Sequence, residues 1–243
     1  MITKAERNAL RKLGDKQSRD LTGLFVVEGR KLLDEVLCSE LEVVEIFTTE
    51  PTREEGYRVI SEAEMGQISQ LKTPTTHLAT VRQPHYDIAM ADPSKNLVLA
   101  LDCVQNPGNL GTILRVADWF GISDVVCSAD CADAFNPKVV QATMGAILRT
   151  RIHYTDLAKW LAGQRRRGAE IYGTKLDGEP IYTTSLAKTG VIVMGNEGRG
   201  IGEECSREIT QSLLIPSVGD SHGESLNVAI ATAIVCAEFR RPR

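Results

Sequence analysis

The chain has 243 residues, enough to bury a full core as one large or two small domains. Apolar residues make up 42% and charged residues 25%, ordinary for a globular protein, and no apolar run reaches the length of a membrane span. The net charge of −4 carries no bulk signature of a nucleic-acid binder, and the start MITKAERNALRKLG lacks the apolar core of a signal peptide, so a cytoplasmic location without membrane association is expected.

Local charge tells a different story. Lys4, Arg7, Arg11, Lys12, Lys16 and Arg19 crowd the first twenty residues, with Arg30 and Lys31 following. Shorter basic knots stand at 165–167 and 240–243. Any of these could be a solvated face. The first, being longest, is the best candidate for phosphate contacts. Cys38, Cys103, Cys127, Cys131, Cys205 and Cys236 lie mostly inside apolar stretches, as buried reduced thiols do. No second Cys or His pair stands near Cys127 and Cys131, so no metal is expected.

In chain order, a helix is expected from Ile2 to Gly14, then a polar turn KQSRDLTG. Strand LFVVEG, a helix over Arg30 to Leu37, strands VVEIFTT and YRVIS, a helix from Glu62 to Leu71 and strand HLATVR complete a small α/β unit. The proline-bearing QPHYDIAMADPSK reads as a linker. This divides the chain into residues 1–82, a linker 83–95, and residues 96–243.

The second part is more regular. LVLALD is a continuous apolar strand, as when both sheet faces are covered. NPGNLGTILRVADWFG turns into a helix with Leu110, Ile113, Leu114 and Ala117 on one face and Gly121 at its end. DVVCS is a strand. In NPKVVQATMGAI, Asn136 caps a helix with Pro137 at its first position. IHY, a helix over Asp156 to Arg167, EIYGTK, VIVMG and LLIP follow. Last comes a helix, expected to open at Ser225, that is apolar on almost every side and so buried on several. The sum is a mostly parallel α/β sheet with helices on both faces.

Three loops that follow strands hold the polar candidates. In QNPGNLGT, Asn109 is placed as the N-cap of the next helix, and Arg115 lies with Thr112, Asp118 and Trp119 away from the apolar face. An arginine covering a half-buried tryptophan is the plain alternative to a ligand or partner surface there. In GNEGRGIG, glycines let a ligand approach the backbone, and Glu197 is the one carboxylate. Its spacing is neither a dinucleotide fingerprint nor a P-loop, which argues against an oxidoreductase. In IPSVGDSHGESLN, Ser225 and Asn227 are the polar groups at the mouth of the last helix. Capping by Ser225 and a backbone contact by Asn227 would explain them without a ligand.

Taken in order, NPGNLGTILRVADWFG, VIVMGNEGRGIG and IPSVGDSHGESLNVAIATAI resemble the three motifs of the SpoU (TrmH-like) branch of the SPOUT RNA methyltransferases, over about residues 97 to 240. KQSRDLTGLFVVEGRKLLDEV resembles the family's N-terminal substrate-binding domain, itself similar to a small ribosomal protein. The resemblance implies S-adenosylmethionine-dependent methylation of a ribose 2′-hydroxyl in structured RNA, ribosomal RNA before transfer RNA, with S-adenosylhomocysteine as product. It also implies a C-terminal trefoil knot and a homodimer that packs the helix of Arg115 against terminal helices, giving Trp119 a partner. Asn109, Arg115, Glu197, Ser225 and Asn227 match the family's polar site. Thr174, Gly195, Asn196, Gly198, Ile215 and Leu226 match its cofactor contacts, largely through backbone. Lys4, Arg7, Arg11, Lys16, Arg19 and Arg30 are the RNA-binding candidates of the first domain. Gln141 and Thr143 stand where the family commonly has Arg and Ser, and the turn GDSHGE, with His222, is this chain's own.

In the family the residue matching Arg115 is proposed as the base. A guanidinium has a pKa above about 12, so Arg115 is expected mainly to hold phosphate and to stabilise developing alkoxide charge. The competing expectation is a catalytically silent RNA-binding or ribosome-assembly module on the same fold. Intact polar residues in all three motifs argue against it.

Overall fold

Thr3 and Glu6 form a reciprocal capping box that starts α1 (Lys4–Lys12). The hydrogen bonds from Thr3 hold the Glu6 carboxyl down to about 2. The computed structural model describes residues 1–217 and 225–242, and these form two units. The first comprises Met1–His85 with Asp133–Leu148, the second Tyr86–Ala132 with Arg149–Arg243.

In the first unit the expected polar turn is a helix, α2 (Lys16–Thr22), ended by Gly23 in the left-handed region at φ 65°. Its composition hid it because the residue it buries is an arginine, Arg19. Then come β1 (Leu24–Glu28), α3 (Arg30–Leu37), β2 (Val43–Thr48), β3 (Tyr57–Val59), α4 (Glu62–Ile68) and β4 (His77–Arg82). The sheet order is β1-β4-β2-β3, with β4 antiparallel to β1 and β2, and β3 parallel to β2. Leu10, Leu13, Val26, Phe47, Met65, Ile68 and Leu78 form a core between helices and sheet.

The segment 133–148 falls within the range 96–243 expected for the second domain, yet it packs in the first unit. Arg19 pairs with Asp133, Phe25 and Phe135 rings lie 4.9 Å apart, and Gln141 Nε2 donates to the Glu28 carbonyl at 3.0 Å. The segment carries α6 (Pro137–Thr143 capped by Asn136), as the sequence predicts.

The second unit contains β5 (Leu97–Leu101), α5 (Pro107–Trp119), β6 (Asp124–Ser128), β7 (Arg151–Thr155), α7 (Leu157–Arg166), β8 (Ile171–Pro180), β9 (Gly190–Met194), α8 (Glu203–Ser206), β10 (Gln211–Leu214) and α9 (Val228–Arg240). Its sheet order is β10-β8-β9-β5-β6-β7, and the adjacent pairs run parallel. Val98, Ala100, Val126, Val191 and Val193 pack with Leu157, Leu161 and Cys205. That is the fully covered strand face expected from their continuous apolar runs. α9 packs against α5, and Arg240 Nε donates to the Phe120 carbonyl at 2.9 Å, tying the ends of the two helices together.

Three expectations about these helices need correction. Asn106, not Asn109, caps α5: its Oδ1 accepts from the backbone N–H of Gly108 and Asn109. Likewise α9 begins at Val228, and Asn227 rather than Ser225 caps it. Nor is α9 buried all round, since Ile230 is 53% exposed and Ala237 is exposed. Apolar composition left the open face invisible.

Candidate active site at the carboxyl ends of the sheet

In a parallel sheet every strand ends on the same side, and ligand sites gather there. The loops leaving β5, β9 and β10 carry the three predicted motifs, and the structure draws Asn109, Glu197 and Asn227 together. Capping by Asn106 places Asn109 in the first turn of α5, with its side chain free to bond elsewhere. Asn109 Nδ2 donates to Glu197 Oε1 at 2.7 Å. Asn227 Nδ2 donates to Asn109 Oδ1 at 3.0 Å, while Asn227 Oδ1 caps α9 by accepting from Ala229 and Ile230. A single relay, Asn227 to Asn109 to Glu197, thus spans all three loops.

Glu197 Oε2 is also 3.4 Å from Asn196 Nδ2. Asn196 turns inward: Nδ2 donates to the Cys103 carbonyl at 2.8 Å, and Oδ1 accepts from the N–H groups of Gly198 and Arg199. Asn196 and Gly200 exchange backbone hydrogen bonds at 2.9 Å, closing the loop into a tight ring. Gly195 is required by that closure, because a Cβ there would lie 2.2 Å from the Gly200 carbonyl carbon.

Three of the predicted cofactor residues lie within or just after adjacent strands, Thr174 inside β8, Gly195 after β9 and Ile215 after β10. Half-buried Thr174 follows Gly173, which pairs with Val193 of β9; buried Gly195 follows β9; half-buried Ile215 follows β10. Thr174 Oγ1 is 3.8 Å from Met194 Sδ. Backbone groups over an apolar floor, with a glycine where no side chain fits, suit a flat nucleoside. Leu226 is 49% exposed at the mouth of α9, beside exposed Ser225. Arg115 is exposed and makes no hydrogen bond or ion pair with another described residue. His222 and the GDSHGE turn lie outside the described residues.

Of the first-unit cations, Lys4, Arg11, Lys16 and Arg30 are exposed, with Lys16 paired to Asp20 at 2.7 Å and Arg30 to Asp34 at 2.9 Å. Arg7 is half-buried and donates to Gln67. Arg19 is the correction. It is 1% exposed, and its guanidinium bonds Asp133 and the carbonyls of Leu13 and Gly14, so no face of it is open to phosphate. A basic residue in a basic run gave no sign that it closes the end of α1. Asn106, Asp102 and Cys103, which the motif reading passed over, all shape the site. Among the described residues there is no group of three metal-ligating side chains, and no helix long and apolar enough to cross a membrane.

A parallel α/β unit whose strand-end loops share one polar relay, joined to a small α/β unit with exposed cations, defines an α/β enzyme class that binds a nucleotide-like ligand. The model of the SpoU rRNA Methylase family matches residues 96–237, and that of the MRM3-like substrate binding domain matches residues 8–79. The chain belongs to the SpoU rRNA methylase family. It is 32% identical to the 23S rRNA (guanosine(2553)-2′-O)-methyltransferase RlmP of Bacillus subtilis, over 95% of this chain and 94% of that one. It is 34% identical to the 23S rRNA (guanosine-2′-O-)-methyltransferase RlmB of Neisseria meningitidis, over 60% of this chain and 59% of that one. Among solved structures, a TrmH-family protein from Porphyromonas gingivalis superposes with a TM-score of 0.89 at 39% identity, covering 99% and 98% of the two chains. An rRNA methyltransferase from Sinorhizobium meliloti with AdoMet bound superposes with a TM-score of 0.88 at 29% identity, covering 99% and 95%.

Proposed function

We propose that this chain is an S-adenosylmethionine-dependent ribose 2′-O-methyltransferase acting on a guanosine of 23S ribosomal RNA in the cytoplasm. The observation that carries this reading is the relay from Asn227 through Asn109 to Glu197, which joins the three family motifs in one site. A silent module on the same fold is not favoured, since these polar groups are intact and placed together.

When bound, S-adenosylmethionine supplies a methyl group on a sulfonium, a strong electrophile. Thr174, Gly195, Asn196, Gly198, Ile215 and Leu226 would hold it, chiefly through backbone groups. Arg115 grips the RNA phosphate beside the target ribose and stabilises the negative charge that develops on the 2′-oxygen as its proton passes to that phosphate or to solvent. Glu197 has both oxygens beside asparagine amides, so its role is to orient Asn109 and the 195–200 loop. Ser225 and Asn227 orient the ribose or the loop before α9. Residues 1–82 bind the RNA through Lys4, Arg7, Arg11, Lys16 and Arg30, residues 83–95 link, and residues 96–243, apart from the segment 133–148 that packs in the first unit, carry the chemistry.

The reading includes a C-terminal trefoil knot and a homodimer. In support of the knot, the chain leaves β10 at the sheet edge and returns to α5, with β8 and β9 standing between β10 and β5. In support of the dimer, Trp119 on α5 is 84% exposed and Ile230 on α9 is 53% exposed, an apolar face that a second copy would cover.

The test is to map 2′-O-methyl groups in ribosomal RNA from cells with and without the protein, together with calorimetry using S-adenosylmethionine. One guanosine losing its methyl group in the deletion strain is the expected result. An unchanged map, with no heat of binding, would overturn the reading.

A further inference from the structure

Cys103 is a non-glycine residue in the left-handed region, at φ 57°. Such backbone is strained for an L side chain and persists where the surroundings hold it. Here they hold it from both sides. Its N–H donates to Ser128 Oγ at 2.8 Å, at the end of β6. Its carbonyl accepts from Asn196 Nδ2 at 2.8 Å, and its sulfur is 3.4 Å from Arg199 Nη2. The preceding residue grips the same loop further along: Asp102 Oδ2 accepts from the Gly202 N–H at 2.7 Å, and the Asp102 N–H donates to the Met194 carbonyl at 2.9 Å.

The two residues after β5 thus clamp the loop after β9 at both ends. The left-handed turn at Cys103 is what brings its carbonyl to Asn196. With Nδ2 held there, Asn196 Oδ1 is aimed at Gly198 and Arg199, and the amide flanks Glu197. A β-branched residue at 103 would be driven toward extended backbone, where the carbonyl leaves Asn196.

We propose that Asp102 and Cys103 are positioning residues that shape the donor-binding loop 195–202, with the left-handed backbone of Cys103 as the decisive element. This rests on the methyltransferase reading for its consequence, and on the geometry alone for the clamp.

The test compares the full-length parent with Cys103→Val and Cys103→Gly. Amide hydrogen exchange over residues 196–202 is read without donor; the Kd for S-adenosylmethionine and the kcat and KM for donor are then measured. In Cys103→Val, exchange in the loop should rise and donor Kd and KM should worsen by about tenfold, with kcat changing less. Cys103→Gly reaches the same φ freely and should restore both exchange and Kd to within about twofold of the parent. Should Cys103→Val not fold, Ser128→Ala removes the acceptor of the Cys103 N–H and is expected to weaken donor binding about threefold. Loop exchange unchanged in Cys103→Val, or Cys103→Gly as impaired as the valine variant, would overturn the proposal. A parent that binds no donor would refute the methyltransferase reading and leave the exchange result to decide the clamp.

Discussion

Asn227 and Asn109 stand 118 residues apart in the chain, and their side chains meet at 3.0 Å. The contact links the first turn of α5 to the cap of α9. Asn227 performs two tasks with two atoms: Oδ1 caps the helix and Nδ2 orients Asn109 toward Glu197. Substitution can separate them. Asn227→Asp keeps the capping oxygen and loses the donor, so methylation should fall at least about tenfold while the melting temperature stays close to the parent's. Asn227→Ala loses both, adding about 1 kcal/mol of destabilisation. Turnover on ribosomal RNA together with thermal melts distinguishes the two.

Arg115 contributes little to the fold, being exposed and bonded to no other described residue. Arg115→Ala should therefore leave the melting temperature and donor affinity unchanged while lowering single-turnover methylation by about 10²-fold or more. Nearly full turnover in this variant would remove Arg115 from the reaction.

Arg19 and Asp133 make the opposite case. The guanidinium is buried, and removing its partner leaves a charge without water. Asp133→Ala should cost about 3 kcal/mol in denaturant unfolding, and Arg19→Lys should not be neutral, because an ammonium cannot reach Asp133 and two carbonyls in the same fork.

Asp124 sets an acid limit on the second unit. Burial by itself would raise its pKa, but hydrogen bonds from His153 and Arg151, with the Arg151 charge, hold it below the usual carboxylate value. A carboxyl depressed in the folded state stabilises above its unfolded pKa of about 3.9, and that stability is lost as pH falls through the folded value. The gap in urea midpoint between the parent and Asp124→Asn should accordingly be largest near neutral pH and shrink below about pH 4.

Trp119 offers the most direct test of self-association. Under the proposed homodimer, the parent should sediment as a dimer, and Trp119→Glu, which puts a charge on the exposed α5 face, should sediment as a monomer at the same concentration.

The strand-end loops were legible in the sequence because each follows an apolar run and changes abruptly to glycine and asparagine. That the three loops belong together was an expectation from resemblance, and the structure brings Asn109, Glu197 and Asn227 of these loops into contact. Other features were not legible. Asn106 and Asn109 are both good caps, and only the direction of the Gly108 and Asn109 N–H groups decides between them. α2 was hidden because its buried residue is an arginine. The cap signals at Asn136 and Pro137 predict α6 but not the sheet it covers, and the structure places it on β1.

What the amino-acid order determined by itself was local: where strands begin and end, which loops carry polar groups, and which residue types are available for chemistry. These follow from side-chain period and backbone preference within a few residues. Tertiary structure alone decided that Asn227 meets Asn109, that Cys103 is bent left-handed to hold Asn196, and that Arg19 is buried. Each depends on groups distant in the chain being brought within hydrogen-bond reach, and no pattern of neighbours along a chain encodes that distance.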